Sequence, residues 1–227
     1  MKNKAVAILS GGLDSGVAMS CYVKNYDIYA ITFDYGQKAI KREITASKEL
    51  CKYYNIPHRI IELKWLDEIS NSALNSSNKI PTPTENDLDD YTQSKENANA
   101  VWVPGRNLVF TAIGCSFAES IGASKIIVGW DLEEANTFPD NSKEFLNKYN
   151  ELIEIGSPDE IEVVAPLINL NKDEIVKLGA KNNCPMDLTY SCYEGRNIHC
   201  GVCESCMRRK RGFKKAGIED LTKYESD

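Results

Sequence analysis

"AVAILSGGLDSGVA", residues 5–18, runs from strand-forming apolar residues straight into two glycines, an acid and a serine. An apolar run that ends in glycines and opens a helical pattern is the strand–turn–helix joint of a parallel α/β sheet, the place where such sheets bind ligands. Gly11 and Gly12 permit a tight turn and close approach of the backbone, while Ser10, Asp14 and Ser15 offer side-chain oxygens. The N–H groups of the helix start favour an anion, and a phosphate is the natural guest. Yet no lysine follows. A mononucleotide P-loop needs G-x-x-x-x-G-K-[ST] and a dinucleotide fingerprint needs G-x-G-x-x-G, and neither matches. Taken alone, the stretch also allows a plain turn in which Asp14 or Ser15 merely caps a helix.

Outward from this joint, apolar runs alternate with helical patterns. "KAVAIL" precedes a helix over 15–25, "IYAITF" one over 38–54, and "HRIIEL" an interruption and then a helix over 107–121. "KIIVGW" precedes a helix over about 141–154, and "IEVVAPL" one over 171–182. Five such runs predict an α/β fold, a Rossmann-like parallel sheet of about five strands with helices on both faces. Val109, Ile113, Phe117 and Ile121 step by four and are expected to line the core face of their helix. Residues 64–100, rich in Ser, Asn, Thr, Pro and acids, break the rhythm as an insertion, either a solvated loop with a short helix at 65–74 or a lid over a site. The expected organisation is a nucleotide-binding body over 1–186 and a cysteine-bearing segment over 187–227.

The 227 residues suffice for a full-sized core, and their formal charge of −6 argues against a chain that coats nucleic acid by bulk electrostatics. No apolar run approaches the ~18 residues of a membrane span, and the apolar stretch of "MKNKAVAILS" is too short for a secretory signal. A cytoplasmic protein is expected. Of eight cysteines, Cys192, Cys200, Cys203 and Cys206 stand with seven, two and two residues between them. Four thiolates at C-x2-C spacing suit a structural tetrahedral zinc, with an iron–sulfur cluster as the weaker alternative and His199 not needed as a ligand. The basic stretch 207–215, "MRRKRGFKK", reads as a solvated helix face, or less readily as a phosphate or nucleic-acid contact.

"SGGLDS" resembles the PP-loop of the N-type ATP pyrophosphatases, whose fold is the adenine nucleotide alpha hydrolase-like sheet. In that group the loop grips the β,γ-pyrophosphate of ATP while a substrate is adenylated, so a loop that holds the leaving group dispenses with the P-loop lysine. The resemblance implies ATP contacts from Ile8, Leu9, Ser10, Gly11, Gly12, Leu13, Asp14, Ser15, Gly16, Val17 and Ala18. "TFDYGQ" places Asp34, Tyr35, Gly36 and Gln37 at a neighbouring strand end, and "VPGRN" sets Arg106 near the phosphates with Asn107 as a cap. Ser10, Asp14, Ser15 and Arg106 are the expected catalytic set.

Together with "FPD", "KDEIVKLG" and "LTYSCYEG", followed by "HCGVCESCMRRKRGF", these motifs resemble the 7-cyano-7-deazaguanine synthase family over nearly the whole chain. The resemblance implies conversion of 7-carboxy-7-deazaguanine, ammonia and ATP into a nitrile, with Mg2+ beside ATP, Zn2+ on the four cysteines and a homodimer. It also makes Asp131, Glu133, Glu134, Phe138 and Asp140 candidates for the substrate pocket. The chain departs from the common bacterial form at Gly16, Ala39, Asp131, Asn141, Ser142 and Tyr190. Two other readings compete: a PP-loop tRNA thiolase, and a zinc-stabilised nucleic-acid-binding module with 207–215 as its footprint. A small-molecule substrate, with no membrane and no stable nucleic-acid partner, is the expectation.

Overall fold

The computed structural model describes residues 2–226. The first half of the chain runs β1 (Asn3–Ile8), α1 (Leu13–Ser20), β2 (Tyr26–Asp34), α2 (Ile40–Tyr54) and β3 (His58–Glu62). The insertion carries α3 (Lys64–Glu68) and α4 (Tyr91–Ala100), and α5 (Arg106–Ile121), β4 (Ala123–Ile127), α6 (Leu132–Ala135) and α7 (Lys143–Gly156) follow. The chain closes with β5 (Glu162–Val164), α8 (Lys172–Lys181) and α9 (Glu204–Ala216). All strand pairs are parallel, in the order β3-β2-β1-β4-β5.

Alternation along β1 divides the core into two layers, because successive side chains leave a strand on opposite faces. Ala5, Ala7 and Leu9 pack with Val17 of α1, Leu50 of α2 and Ile175 of α8. Val6 joins the other layer, with Ala118 of α5 and Tyr149 and Ile153 of α7. Helices therefore cover both faces, as the alternating pattern predicts.

Three local expectations change. Helix α1 stops at Ser20, and 21–25 run as turns. In α5 the fully buried face is Asn107, Thr111, Gly114 and Ala118, while Val109, Ile113, Phe117 and Ile121 are half-buried beside it. Small residues win that face because the helix lies close to the sheet: a Cβ on Gly114 would stand 3.2 Å from Ile126 and 3.3 Å from Ile8. The helix expected over 65–74 ends at Glu68, where the Ser70 hydroxyl donates to Asn75 and accepts the Ser72 N–H, offering the backbone a turn instead.

The 64–100 segment is a folded insertion rather than a solvated loop. Leu66, Ala73, Leu74, Ile80 and Ala98 are buried in the main core, and the Lys38 N–H donates to the Leu74 carbonyl at 2.7 Å. The four cysteines lie in that same core layer. Two close approaches bind the C-terminal segment to the sheet: the Tyr190 N–H donates to the Gly11 carbonyl at 2.8 Å, and a Cβ on Gly212 would fall 2.7 Å from Lys172 Cγ. Only glycine lets α9 press on the stem of Lys172.

Candidate active site

The strand order reverses at β1, whose neighbours are β2 and β4, and a crevice opens beyond the carboxyl ends of β1 and β4 as expected at such a switch point. One wall is the "SGGLDS" turn. Gly11 has φ +80°, and a Cβ there would stand 2.5 Å from the Glu43 carbonyl oxygen, so the turn requires glycine. The Ser10 and Ser15 hydroxyls lie 3.0 Å apart, the Gly12 N–H donates to Ser10 Oγ at 3.2 Å, and Ser15 Oγ donates to the Gly12 carbonyl at 3.2 Å. Opposite, β4 delivers Gly129 flush against the first turn of α1: a Cβ would lie 2.7 Å from Ser15 N.

Beneath this turn sits a buried cation. Lys172, the first residue of α8, donates from Nζ to Asp14 Oδ1 and Asp131 Oδ2, 2.8 Å each. Asp131 is fully buried and caps α6 by accepting the Glu134 N–H at 2.9 Å. The surrounding carboxylates hold the Lys172 ammonium well above its usual range despite its burial. Desolvation raises Asp14, and it lifts Glu134 to about 8, helped by the nearby charges of Asp131 and Asp14.

Across the cleft, Arg106 opens α5 and faces the Tyr35 hydroxyl, Asp140 and Glu134, groups that outweigh its burial and raise its pKa. Gln37 shapes the floor. Its Nε2 donates to the Phe33 carbonyl at 3.0 Å and to Glu43 Oε2 at 2.7 Å, and its Oε1 accepts the Tyr35 N–H at 2.9 Å. Burial pushes Glu43 up to about 7. Phe33 stacks on Phe110 at 4.1 Å, giving the cleft a flat apolar side. The remaining wall belongs to the cysteine segment, through Tyr190, Ser191, Tyr193 and Ser205.

Cys192, Cys200, Cys203 and Cys206 are all buried, and their sulfurs lie within 4.8 Å of one another. Cys200 and Cys206 Sγ are 3.9 Å apart, close to the ~3.8 Å edge of a tetrahedron with Zn–S bonds of about 2.3 Å. Backbone N–H groups of Cys200 and Cys203 donate to Cys192 and Cys200 sulfurs at 3.3 Å, as suits thiolates. The donor set fits zinc. His199 is buried, accepts the Ser191 N–H on Nε2 at 3.0 Å and packs between Tyr190 and Tyr224, which leaves it a packing role.

The basic stretch is a solvated face only at its end, where Lys214 and Lys215 are exposed; its three arginines are buried. Arg209 is 1% exposed and donates to Asp220, Thr189, Ser191 and the Met186 carbonyl. Arg208 pairs with Glu133 and Glu204 at 2.8 Å, and Arg211 with Asp89 at 2.7 Å and Glu133 at 3.1 Å. These three arginines clamp α9 to the body and to the insertion, so they are unavailable as a nucleic-acid footprint.

The queuosine biosynthesis protein QueC family model matches residues 4–217. The chain belongs to this family. It is 58% identical to the 7-cyano-7-deazaguanine synthase of Methanobrevibacter smithii, covering 99% of each chain. The enzyme of the same name from Methanosphaera stadtmanae is 57% identical, over 99% of this chain and 100% of the relative. The fold also matches the crystal structure of a predicted subunit of tRNA methyltransferase from Methanocaldococcus jannaschii, at a TM-score of 0.50 and 15% identity over 96% of this chain and 91% of that one.

Set against the sequence reading, Ile8, Leu9, Ser10, Gly12, Leu13, Asp14, Ser15, Gln37, Arg106 and Glu134 all line the cleft. Gly11 shapes the turn from behind, and Gly16, Val17 and Ala18 are buried in the body of α1, facing the core. Asp34 sits outside the cleft and accepts the Gly36 N–H at 3.1 Å. Asp131 is spent on Lys172. Glu133 accepts the Lys172 N–H and both arginines, Phe138 stacks on Trp102, and Asp140 stands behind Arg106. Lys172, Tyr193 and Ser205 are functional candidates that motif reading passed over. The signal for Lys172 lies in "NKDE": Asn171 and Glu174 form a capping box that fixes Lys172 at the first helical position after β5, at the same end of the sheet as "SGGLDS".

Proposed function

We propose that this chain joins ammonia to 7-carboxy-7-deazaguanine at the expense of ATP and carries the product on to the nitrile, 7-cyano-7-deazaguanine. The observation that carries this reading is the lysine-free "SGGLDS" turn at the switch point, with Arg106 opposite it, in a chain of the QueC family. Ser10, Ser15 and the N-terminus of α1 would hold the pyrophosphate of ATP: their mutual bonds of 3.0–3.2 Å lie at the cleft surface, where phosphate oxygens can replace them. Arg106 supplies the positive charge that a P-loop lysine would bring. The flat side formed by Phe33 and Phe110 suits a planar base.

A carboxylate is a poor electrophile because its oxygen leaves badly. Adenylation makes AMP the leaving group, so ammonia can displace it and give the amide. A second adenylation, on the amide oxygen, permits elimination to the nitrile. One activation site used twice suffices, and no side-chain nucleophile is needed. Mg2+ would sit on the ATP phosphates beside Asp14, whose Oδ1 is held by Lys172. Zn2+ on the four cysteines would fix the wall that presents Tyr193 and Ser205.

The division at 186/187, a homodimer, a cytoplasmic location and use of the product for queuosine or archaeosine complete the proposal, on the strength of the family resemblance. The test is mass spectrometry of zinc-loaded protein with 7-carboxy-7-deazaguanine, ATP, Mg2+ and ammonium, following AMP, amide and nitrile together. Nitrile with AMP is the expected result, and folded protein that releases no AMP in response to the carboxylate would overturn the reading.

A further inference from the structure

Behind the cleft, between α1, α6, α8 and α9, lies a small polar side pocket. It shares Leu13, Asp14, Glu134, Ser191, Tyr193 and Ser205 with the cleft and adds Thr137, Phe138, Lys172, Glu204, Arg208 and Arg209. The space open to the centre of a water-sized molecule is about 20 Å³, enough for one molecule of that size and too small for a base or a phosphate chain.

Charge selects among small guests. Each cation in the wall is already matched: Lys172 by Asp14 and Asp131, Arg208 by Glu133 and Glu204, Arg209 by Asp220. The Glu134 carboxylate is the acid left over, and none of the described residues hydrogen-bonds to it or to the Tyr193 and Ser205 hydroxyls. Ser191 Oγ accepts from Arg209 at 3.2 Å, which leaves its proton to a further acceptor and a lone pair toward the pocket. A pocket of one-molecule volume, in which Glu134 is the lining carboxylate left without an ion pair and the Tyr193 and Ser205 hydroxyls stand open beside it, suits a small cation with several N–H donors.

We propose that this side pocket is the ammonium subsite, with Glu134 as the group that receives the proton ammonium must lose before it can attack. The inference rests on the reaction proposed above. Position supports it: Asp14, Glu134 and Ser205 belong to both spaces, so a molecule in the side pocket abuts the cleft beside the phosphate-binding turn. Burial, together with the charges of Asp131 and Asp14, raises Glu134 to about 8 against the opposing Lys172 and Arg106, so its carboxylate form accepts a proton far more readily than an ordinary glutamate. The step balances. Ammonium gives one proton to Glu134, the nitrogen lone pair forms the C–N bond, and the C–O bond to AMP breaks with its electron pair leaving on AMP. The second proton shed by nitrogen goes to solvent, leaving the neutral amide.

The test separates the two half-reactions in the zinc-loaded full chain. Carboxylate-dependent ATP–pyrophosphate exchange, run without ammonium, reads adenylation alone, and steady-state amide formation over an ammonium series reads capture. Thr137 lines the side pocket and not the cleft, so Thr137→Leu fills the one while leaving the residues that line the other unchanged. The expected result is a rise of at least tenfold in the KM for ammonium with exchange changed less than twofold. Glu134→Gln keeps the size and removes the base, and it should raise the ammonium KM and move the alkaline rise of the capture rate. Ammonium KM values within twofold of wild type in both variants would overturn the subsite while leaving adenylation intact. Loss of carboxylate-dependent exchange in the wild type would instead overturn the underlying reaction and the subsite with it.

Discussion

Replacing Lys172 by Met removes the ammonium and keeps most of the stem that Gly212 packs against. Two carboxylates then stand unpaired, Asp131 with a fully buried side chain and Asp14 with one about a quarter exposed. Breaking a buried ion pair by deleting one partner costs about 3–5 kcal/mol, chiefly because a charge is left behind without compensation. At roughly 2–4 °C per kcal/mol for a chain of this size, the melting midpoint should fall by about 6–20 °C. The loss has a sign in pH. Without Lys172 the Asp14 carboxyl, already raised by burial, loses the positive charge that opposes the rise, so the folded protein binds a proton there more readily than the unfolded chain. The penalty is therefore greatest at pH 8 and shrinks as pH falls through the raised folded pKa. Thermal and urea unfolding of the zinc-loaded variant at pH 6 and pH 8 measure this directly. Adding Asp131→Asn keeps an oxygen for the Glu134 N–H while deleting one stranded charge, and should recover half or more of the loss at pH 8. A single variant that loses under ~1 kcal/mol, a loss independent of pH, or a double variant no more stable than the single one would refute the assignment of Lys172 as the buried counter-ion.

Cys203→Ser should abolish stoichiometric metal by elemental analysis and speed amide exchange in α9, because the cluster joins that helix to the segment carrying Cys192. Gly129→Ala places a methyl against Ser15 N, which is backbone with nowhere to go. The overpacking should cost about 1–3 kcal/mol by urea unfolding and raise the KM for ATP several-fold with zinc content unchanged. Glu43 titrates near 7 in the fold against an ordinary 4.5, so it favours the folded state less and less as pH rises through that interval. Glu43→Gln should accordingly gain stability over the wild type at pH 8 and lose that gain near pH 4.5, read as melting midpoints in a buffer series.

What the sequence made legible was local. Strand runs with period-2 alternation, glycines at a strand end and paired C-x2-C spacings each carry their meaning within a few residues, and the sheet, the glycine turn at its switch point and the cluster of four cysteines follow from them. What stayed hidden depends on partners far apart in the chain. Arg211 reads as one charge in a basic run until Asp89 and Glu133 are folded against it, 122 and 78 residues away. Lys172 reads as a helix-start surface lysine until Asp14, 158 residues earlier, meets its ammonium. On α5 the stepping by four marks Val109, Ile113, Phe117 and Ile121, which do pack against the core, but periodicity of large apolar residues does not show that a helix lying close to a sheet buries its smallest residues deepest.

These long-range pairs also show how a turn that contains no lysine comes to be braced by one from elsewhere in the chain. Lys172 enters from α8, is held by two carboxylates, and has its stem wedged by Gly212 of α9, so it supports the turn from beneath. Glu133 couples the same corner to Arg208 and Arg211, and Arg211 extends the link to the insertion at Asp89. The charge that shapes the turn is thus supplied by the C-terminal half of the chain. Metal loss at the cysteines should therefore register first as a displaced Lys172 and a disordered "SGGLDS" turn, even though no cysteine lines the cleft.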